Sequence, residues 1–142
     1  MSFGQAASRR EGFPAIGATD PCPCGSGDRF DGCCRPILHG APALTAEKLM
    51  RSRYTAFVVG DARHLADSWH PRTRPAAVDL DPGLRWIGLE ILAAEDGLAG
   101  DTSGTVEFRA HWRAGRERGT LHEKSRFTSR AGRWWYVDGD VE

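Results

Sequence analysis

Four cysteines, Cys22, Cys24, Cys33 and Cys34, lie within thirteen residues, and the chain holds no others. Thiolates are soft ligands, and four of them in a tetrahedron suit Zn²⁺. The residues between the two pairs are those of a tight metal loop. Gly25 and Gly27 can take positive φ and turn backbone N–H groups towards sulfur, while Pro23 stiffens the link between the first two ligands. Cys33 and Cys34 are consecutive, so on a helical turn they lie about 100° apart and both can reach one ion. The spacing predicts a short helix opening at this pair. A disulfide framework fits less well, because adjacent cysteines bridge only with strain and such frameworks belong to exported chains. Redox chemistry fits less well too, since no C-x-x-C stands beside a βαβ unit. The expected cofactor is one structural Zn²⁺ on Cys22, Cys24, Cys33 and Cys34. His39 could replace one thiolate, but with four cysteines in place it reads as a surface residue or one that supports a ligand.

The second place where chemistry could sit is the stretch from Leu121 to Phe127. At strand spacing, Leu121, Glu123, Ser125 and Phe127 share one face, and His122, Lys124, Arg126 and Thr128 share the other. The charged set faces water, which puts a carboxylate and a hydroxyl among apolar groups. An isolated buried charge costs several kcal/mol, so Glu123 must be paired, hydrogen-bonded or protonated. Two readings follow. Glu123 and Ser125 line a pocket with Tyr54, Trp86 and Trp112, or Glu123 pairs with Arg51 or Arg53 and pins a helix to the sheet. Nucleophilic catalysis has little support, because no G-x-S-x-G is present and no His stands in a recognisable relation to a Ser or Cys. His64 reads as a surface residue, His70 as a complement to a helix C-terminus, and His111 as solvated. Gly25-Ser26-Gly27 lacks a Walker lysine and belongs to the metal loop. Of Trp134, Trp135 and Tyr136, at least one ring is expected at the surface beside Arg130 and Arg133.

The elements that must position these residues can be read in order. Residues 1–19 lack periodicity and read as a flexible tail. Residues 20–40 form the zinc module, which carries almost no apolar core of its own, so metal must supply its folding energy. Residues 41–142 form the main domain. Thr45 caps a helix with Leu49, Met50, Tyr54, Phe57 and Val58 on one stripe, ended by Gly60; Arg51, Ser52 and Arg53 fall beside or opposite it. Asp61 caps a shorter helix stopped at Pro71. Residues 71–83, with three Pro, read as a loop that holds at most one short strand or turn around Ala76 to Leu80. From Leu84 the period becomes two, giving strands over 84–95, 105–113, 117–129 and 133–138. Helices followed by an antiparallel meander make an α+β class.

The 142 residues are 40% hydrophobic and 27% charged, which suits one globular domain with a small appendage. Nineteen basic residues balance nineteen acidic ones, so total charge argues for neither nucleic acid nor membrane. Within the sequence, residues 79–107 hold seven acidic side chains and one Arg, while 109–133 hold eight basic and two Glu. These charges are expected on the solvent faces of different strands. No apolar run reaches the length of a membrane span, and the expected location is a reducing cytoplasm.

The string Pro21-Cys22-Pro23-Cys24-Gly25-Ser26-Gly27 through Cys33-Cys34, with an aromatic at Phe30, resembles the SEC-C motif. That resemblance implies a zinc-binding module used for protein–protein contact. Thr45 through Phe57, Trp69-His70-Pro71 and the closing Arg133-Trp134-Trp135-Tyr136-Val137-Asp138-Gly139 resemble the YchJ family. That family joins a SEC-C motif to a nuclear-transport-factor-2-like domain. The fold implied is a small zinc-bound module followed by a cone-shaped, curved antiparallel sheet packed with N-terminal helices. A non-enzymatic adaptor is the expected function; a small-molecule-binding domain or enzyme using the cone around Glu123 is the alternative.

Overall fold

A computed structural model describes residues 10–142. A single 3₁₀ turn, Phe30–Gly32, leads into α1 (Cys34–Leu38). Helix α2 (Ala46–Val59) and helix α3 (Ala62–Asp67) follow. Four strands complete the chain: β1 (Arg85–Asp96), β2 (Ser103–Ala114), β3 (Glu117–Arg130) and β4 (Arg133–Val141). They pair in sequence order as one antiparallel sheet. The fold is therefore α+β, with the cysteine module and the helices ahead of a curved meander, as the sequence pattern and the resemblance imply. No helix among the described residues is long and apolar enough to cross a membrane.

Local chemistry sets the helix limits. The Thr45 hydroxyl accepts from the Lys48 N–H and the Asp61 carboxylate accepts from the His64 N–H, so α2 and α3 each have an N-terminal side-chain cap. Gly60 ends α2 at φ +76°. The sheet curves where extra residues enter β1, between Trp86 and Gly88 and again between Ile91 and Ala93, and where β4 bulges opposite Arg126 and Phe127. Val106, Phe108 and Ala110 of β2 and Phe127 of β3 turn inward and pack under α2. On the outer face the separated charges meet across strands. His111 pairs with Glu90, His122 with Glu107, and Arg126 with Asp138 and Asp140.

Four expectations need correction. Ser52 and Arg53, expected beside or opposite the apolar stripe, are buried as deeply as the stripe itself. His64 is buried too, with Nε2 at 2.9 Å from the Ser52 hydroxyl. The cause is shared: α2 has the sheet on one side and α3 and the cysteine module on others, so it has no solvent face at mid-length. The segment around Ala76 to Leu80 is loop, as expected for 71–83, but with only a bend at Ala76 in place of the short strand or turn. His70 caps no helix; α3 has ended at Asp67, and the His70 N–H donates to the Tyr136 carbonyl. That bond, with the Tyr136 N–H donating to the Ser68 carbonyl, covers part of the free edge of β4.

Part of the expected N-terminal tail has a place in this structure. Phe13 lies against Gly60, Ile16 packs on the core, and Arg10 pairs with Asp61 at 3.4 Å. The remainder of that tail, residues 1–9, lies outside the described residues. A Cβ on Gly60 would stand 2.6 Å from the Phe13 ring, on a backbone that L-residues disfavour. Gly60→Ala is expected to lower stability by more than the ~1–2 kcal/mol of the left-handed conformation alone. In a Phe13→Ala background the loss should shrink to about that value, measured by denaturant unfolding. An equal loss in both backgrounds would contradict the docking of Phe13.

Candidate metal centre and cone pocket

The cysteine loop is closed by backbone bonds before any metal is considered. The Cys22 N–H donates to the Asp28 carbonyl, and the Gly25 N–H donates to the Cys22 carbonyl. Gly25 and Gly27 both take positive φ, as the tight loop requires. Cys33 immediately precedes α1 and Cys34 is its first residue, so the adjacent pair is splayed across a helix start. All four Sγ atoms lie within 4.8 Å of one another. Cys24 and Cys33 are 3.6 Å apart, and Cys33 and Cys34 are 4.0 Å apart. Metal–sulfur bonds of about 2.3 Å in a tetrahedron separate the sulfurs by about 3.8 Å, so these positions fit a tetrahedral thiolate site.

Charge makes the same demand. Hydrogen bonds from Cys22 and Cys34 draw the Cys24 pKa far down, and the bonds Cys34 makes to Cys22 and Cys24 hold its own pKa far up. Burial pushes the Cys33 thiol up to about 11. Four thiolates this close together repel one another and need a cation among them. Ser26 Oγ, 3.2 Å from Cys33 Sγ, supports the least buried of the four. His39 is exposed and outside this group.

The module is tied to α2. Arg51 Nη1 donates to the Cys24 carbonyl at 2.8 Å while its Nε holds Glu47, and Cys22 Sγ stands 4.0 Å from the Thr55 hydroxyl. Cys22, Cys24 and Cys34 belong to the same buried cluster as Leu49, Met50 and Tyr54.

On the other side of α2, the curved sheet encloses a cavity of about 200 Å³. Tyr54, Trp86, Glu123 and Ser125 line it together; Trp112 does not, because its ring lies over Gly119 of β3. Arg53, Trp69, Tyr136 and Phe57 are further wall residues. The Ser125 hydroxyl donates to Glu123 Oε2 at 2.6 Å, and the Tyr136 hydroxyl approaches the same oxygen at 3.4 Å. The proposed ion pair with Arg51 or Arg53 is not formed. Arg51 is held by Glu47 and the Cys24 carbonyl, and Arg53 Nη1 donates to the Leu65 carbonyl and the Ser68 hydroxyl. The Arg53 guanidinium instead lies over the rings of Tyr136, at 4.3 Å, and Trp69, at 5.0 Å. Burial brings its pKa down to about 10, with Tyr136 and Glu123 opposing. Burial also raises the Tyr136 hydroxyl to about 12. Trp69, Tyr136 and Arg53 were not placed at the pocket by strand and helix periodicity. The signal that could have found them is the pairing of residues 68–70 with β4, which single-sequence patterns do not carry.

Comparison with known proteins decides the family. The model of the YchJ middle nuclear-transport-factor-2-like domain matches residues 45–139, and the SEC-C motif matches residues 19–36. The chain belongs to the YchJ family. A UPF0225 protein of Streptomyces coelicolor is 57% identical over 123 residues, 86% of this chain and 96% of that protein. A UPF0225 protein of Corynebacterium glutamicum is 43% identical over 122 residues, covering 85% and 97%. The solution structure of a SEC-C motif containing protein from Rhodopseudomonas palustris superimposes with a TM-score of 0.75 at 31% identity, over 87% of this chain and 99% of that one. The crystal structure of a SEC-C motif containing protein from Psychrobacter arcticus gives 0.70 at 26%, over 88% and 84%. The cysteine cluster of this YchJ-family chain is thus the sulfur set of its SEC-C motif.

Under the helices, His64 is held neutral: burial pushes its pKa down to about 4, with Asp61 opposing and Arg53 reinforcing. Above the ordinary value of 6.5 neither the folded nor the unfolded residue is charged. Between 6.5 and about 4 only the unfolded chain takes the proton, so stability falls as pH falls, and below that the loss levels off. The full loss from this residue is about 3 kcal/mol at most. Urea unfolding at pH 7 and 4.5 should show a shallower decline in His64→Gln than in the natural chain. Equal declines would contradict a neutral buried His64.

Proposed function

We propose that this chain is a cytoplasmic zinc protein whose SEC-C module holds one structural Zn²⁺ and docks a protein partner, with the cone domain as its support. The observation that carries this reading is the closed sulfur set: four Sγ atoms within 4.8 Å, three of the four residues buried. Four thiolates fill a tetrahedral ion, and a filled ion holds structure without activating water. Zinc suits the all-sulfur donor set. The thiols stay available to metal where the compartment is reducing.

Beside Cys33 and Cys34 runs a groove of about 420 Å³ lined by Pro36, Ile37, Pro42 and Leu44, with Asp28, Glu47 and Lys48 at its rim. Leu44 is 64% exposed. An exposed apolar side chain in a groove rimmed by charge is suited to a protein contact. A second reading, that the cone domain binds a small molecule, is favoured by the cavity beside Arg53 and Glu123.

Metal analysis should find one zinc per chain, and Cys33→Ser should lower that occupancy. In ¹⁵N-labelled protein titrated with bacterial lysate, amide shifts should gather at Ile37, Leu44 and Lys48 and vanish in Leu44→Asp. Shifts confined to the cone would contradict the docking role, and a reduced chain without zinc would contradict the metal.

A further inference from the structure

The cone has an unusual interior for its size. Aromatic residues, Tyr54, Trp69, Trp86 and Tyr136 among them, are seven of the thirteen that line it, with a cation and a carboxylate beside them. Arg53 is only 5% exposed, and among the described residues its hydrogen bonds leave from Nη1 alone. Its Nε and Nη2 protons have no acceptor among the described residues. Glu123 receives its hydrogen bonds on Oε2, and Oε1 has no donor among the described residues. The two charges face one cavity yet form no ion pair. In the same wall the indole Nε1 of Trp69 is buried without an acceptor. Of these atoms only Trp69 Nε1 is fully buried; Glu123 is half-buried, and its free oxygen and the free guanidinium N–H groups can be completed by a ligand in the cavity.

We propose that the cone binds a small, flat, uncharged molecule that accepts hydrogen bonds from Arg53 at one side and donates to Glu123 at the other. A primary carboxamide on a single aromatic ring is the simplest chemistry that does both. Its carbonyl oxygen meets the guanidinium, its N–H₂ meets Oε1, and its ring lies among the aromatic side chains. The charges select against ions. A carboxylate would satisfy Arg53 but set a second negative charge beside Glu123, and an ammonium would satisfy Glu123 but oppose Arg53. The volume, about 200 Å³, is below the range of roughly 300–1,000 Å³ for drug-sized sites, so one ring suits it better than two.

This inference rests on the reading of the cone as a ligand site, and the test separates the two. Benzamide, benzoate, benzylamine and toluene are titrated into the ¹⁵N-labelled full chain, with the Trp69 indole N–H and the Ser125 amide as reporters. Benzamide should shift both and bind at least tenfold more tightly than the other three. In Glu123→Gln the new amide removes the repulsion, so the preference for benzamide over benzoate should fall at least tenfold. A variant that merely lost stability would weaken both probes alike. If Glu123→Gln fails to fold, the ranking on the natural chain still decides. Toluene or benzoate binding as tightly as benzamide overturns the proposed chemistry and leaves a ligand site standing. No shift with any of the four overturns both.

Discussion

The structure depends on a helix that is buried almost all round at mid-length. Helix α2 meets the sulfur loop through Arg51 and Thr55, α3 and the following turn through Ser52 and Arg53, and the sheet through Met50 and Tyr54. A helix buried this far round needs partners for the polar groups turned away from the cavity, since each buried unmatched one costs about 1–3 kcal/mol. Its neighbours are therefore fixed in kind: a carbonyl from the metal loop, a neutral histidine from α3, a serine hydroxyl from the turn. Moving the metal loop or α3 with its turn away from α2 strands a guanidinium donor of that helix.

From this constraint the two candidate sites acquire a relation. The sulfur cluster lies on one side of α2 and the cone on another, and residues 50 to 55 serve both. Arg51 points to the metal loop and Arg53 to the cone wall, two positions apart on the same helix. The metal site is then part of the support of the cone, beyond its role in ordering residues 20–40. The shared buried cluster, in which Cys22 and Cys34 stand with Leu49 and Tyr54, is the physical form of that support.

How much of this was legible in the sequence follows from the range of each interaction. The cysteine set, both N-terminal caps, the glycine stop of α2 and the strand meander are local patterns, and each is where the sequence puts it. The inward placement of Glu123 and Ser125 was legible from period two, and so were Tyr54 and Trp86 as cone residues. The misread residues all depend on contacts across many positions. Ser52, Arg53 and His64 look like surface residues because their partners lie 12 to 15 residues away, on α3 and the turn after it. Trp112 looked inward by alternation, as it should, but the cone closes before reaching it because its ring fills the space over Gly119. The ion pair of Arg53 with Glu123 does not form, because two aromatic faces, the Leu65 carbonyl and the Ser68 hydroxyl take up part of the cation's need.

The most direct test of this account is whether the sulfur module and the cone unfold together. Thermal unfolding followed by both backbone circular dichroism and Trp fluorescence, with and without a zinc chelator, measures it. A single coincident transition that moves several degrees lower on chelation is the result expected of one unit held through α2. A cone transition unmoved by the chelator, with only residues 20–40 losing amide protection, would mean that α2 does not couple the two.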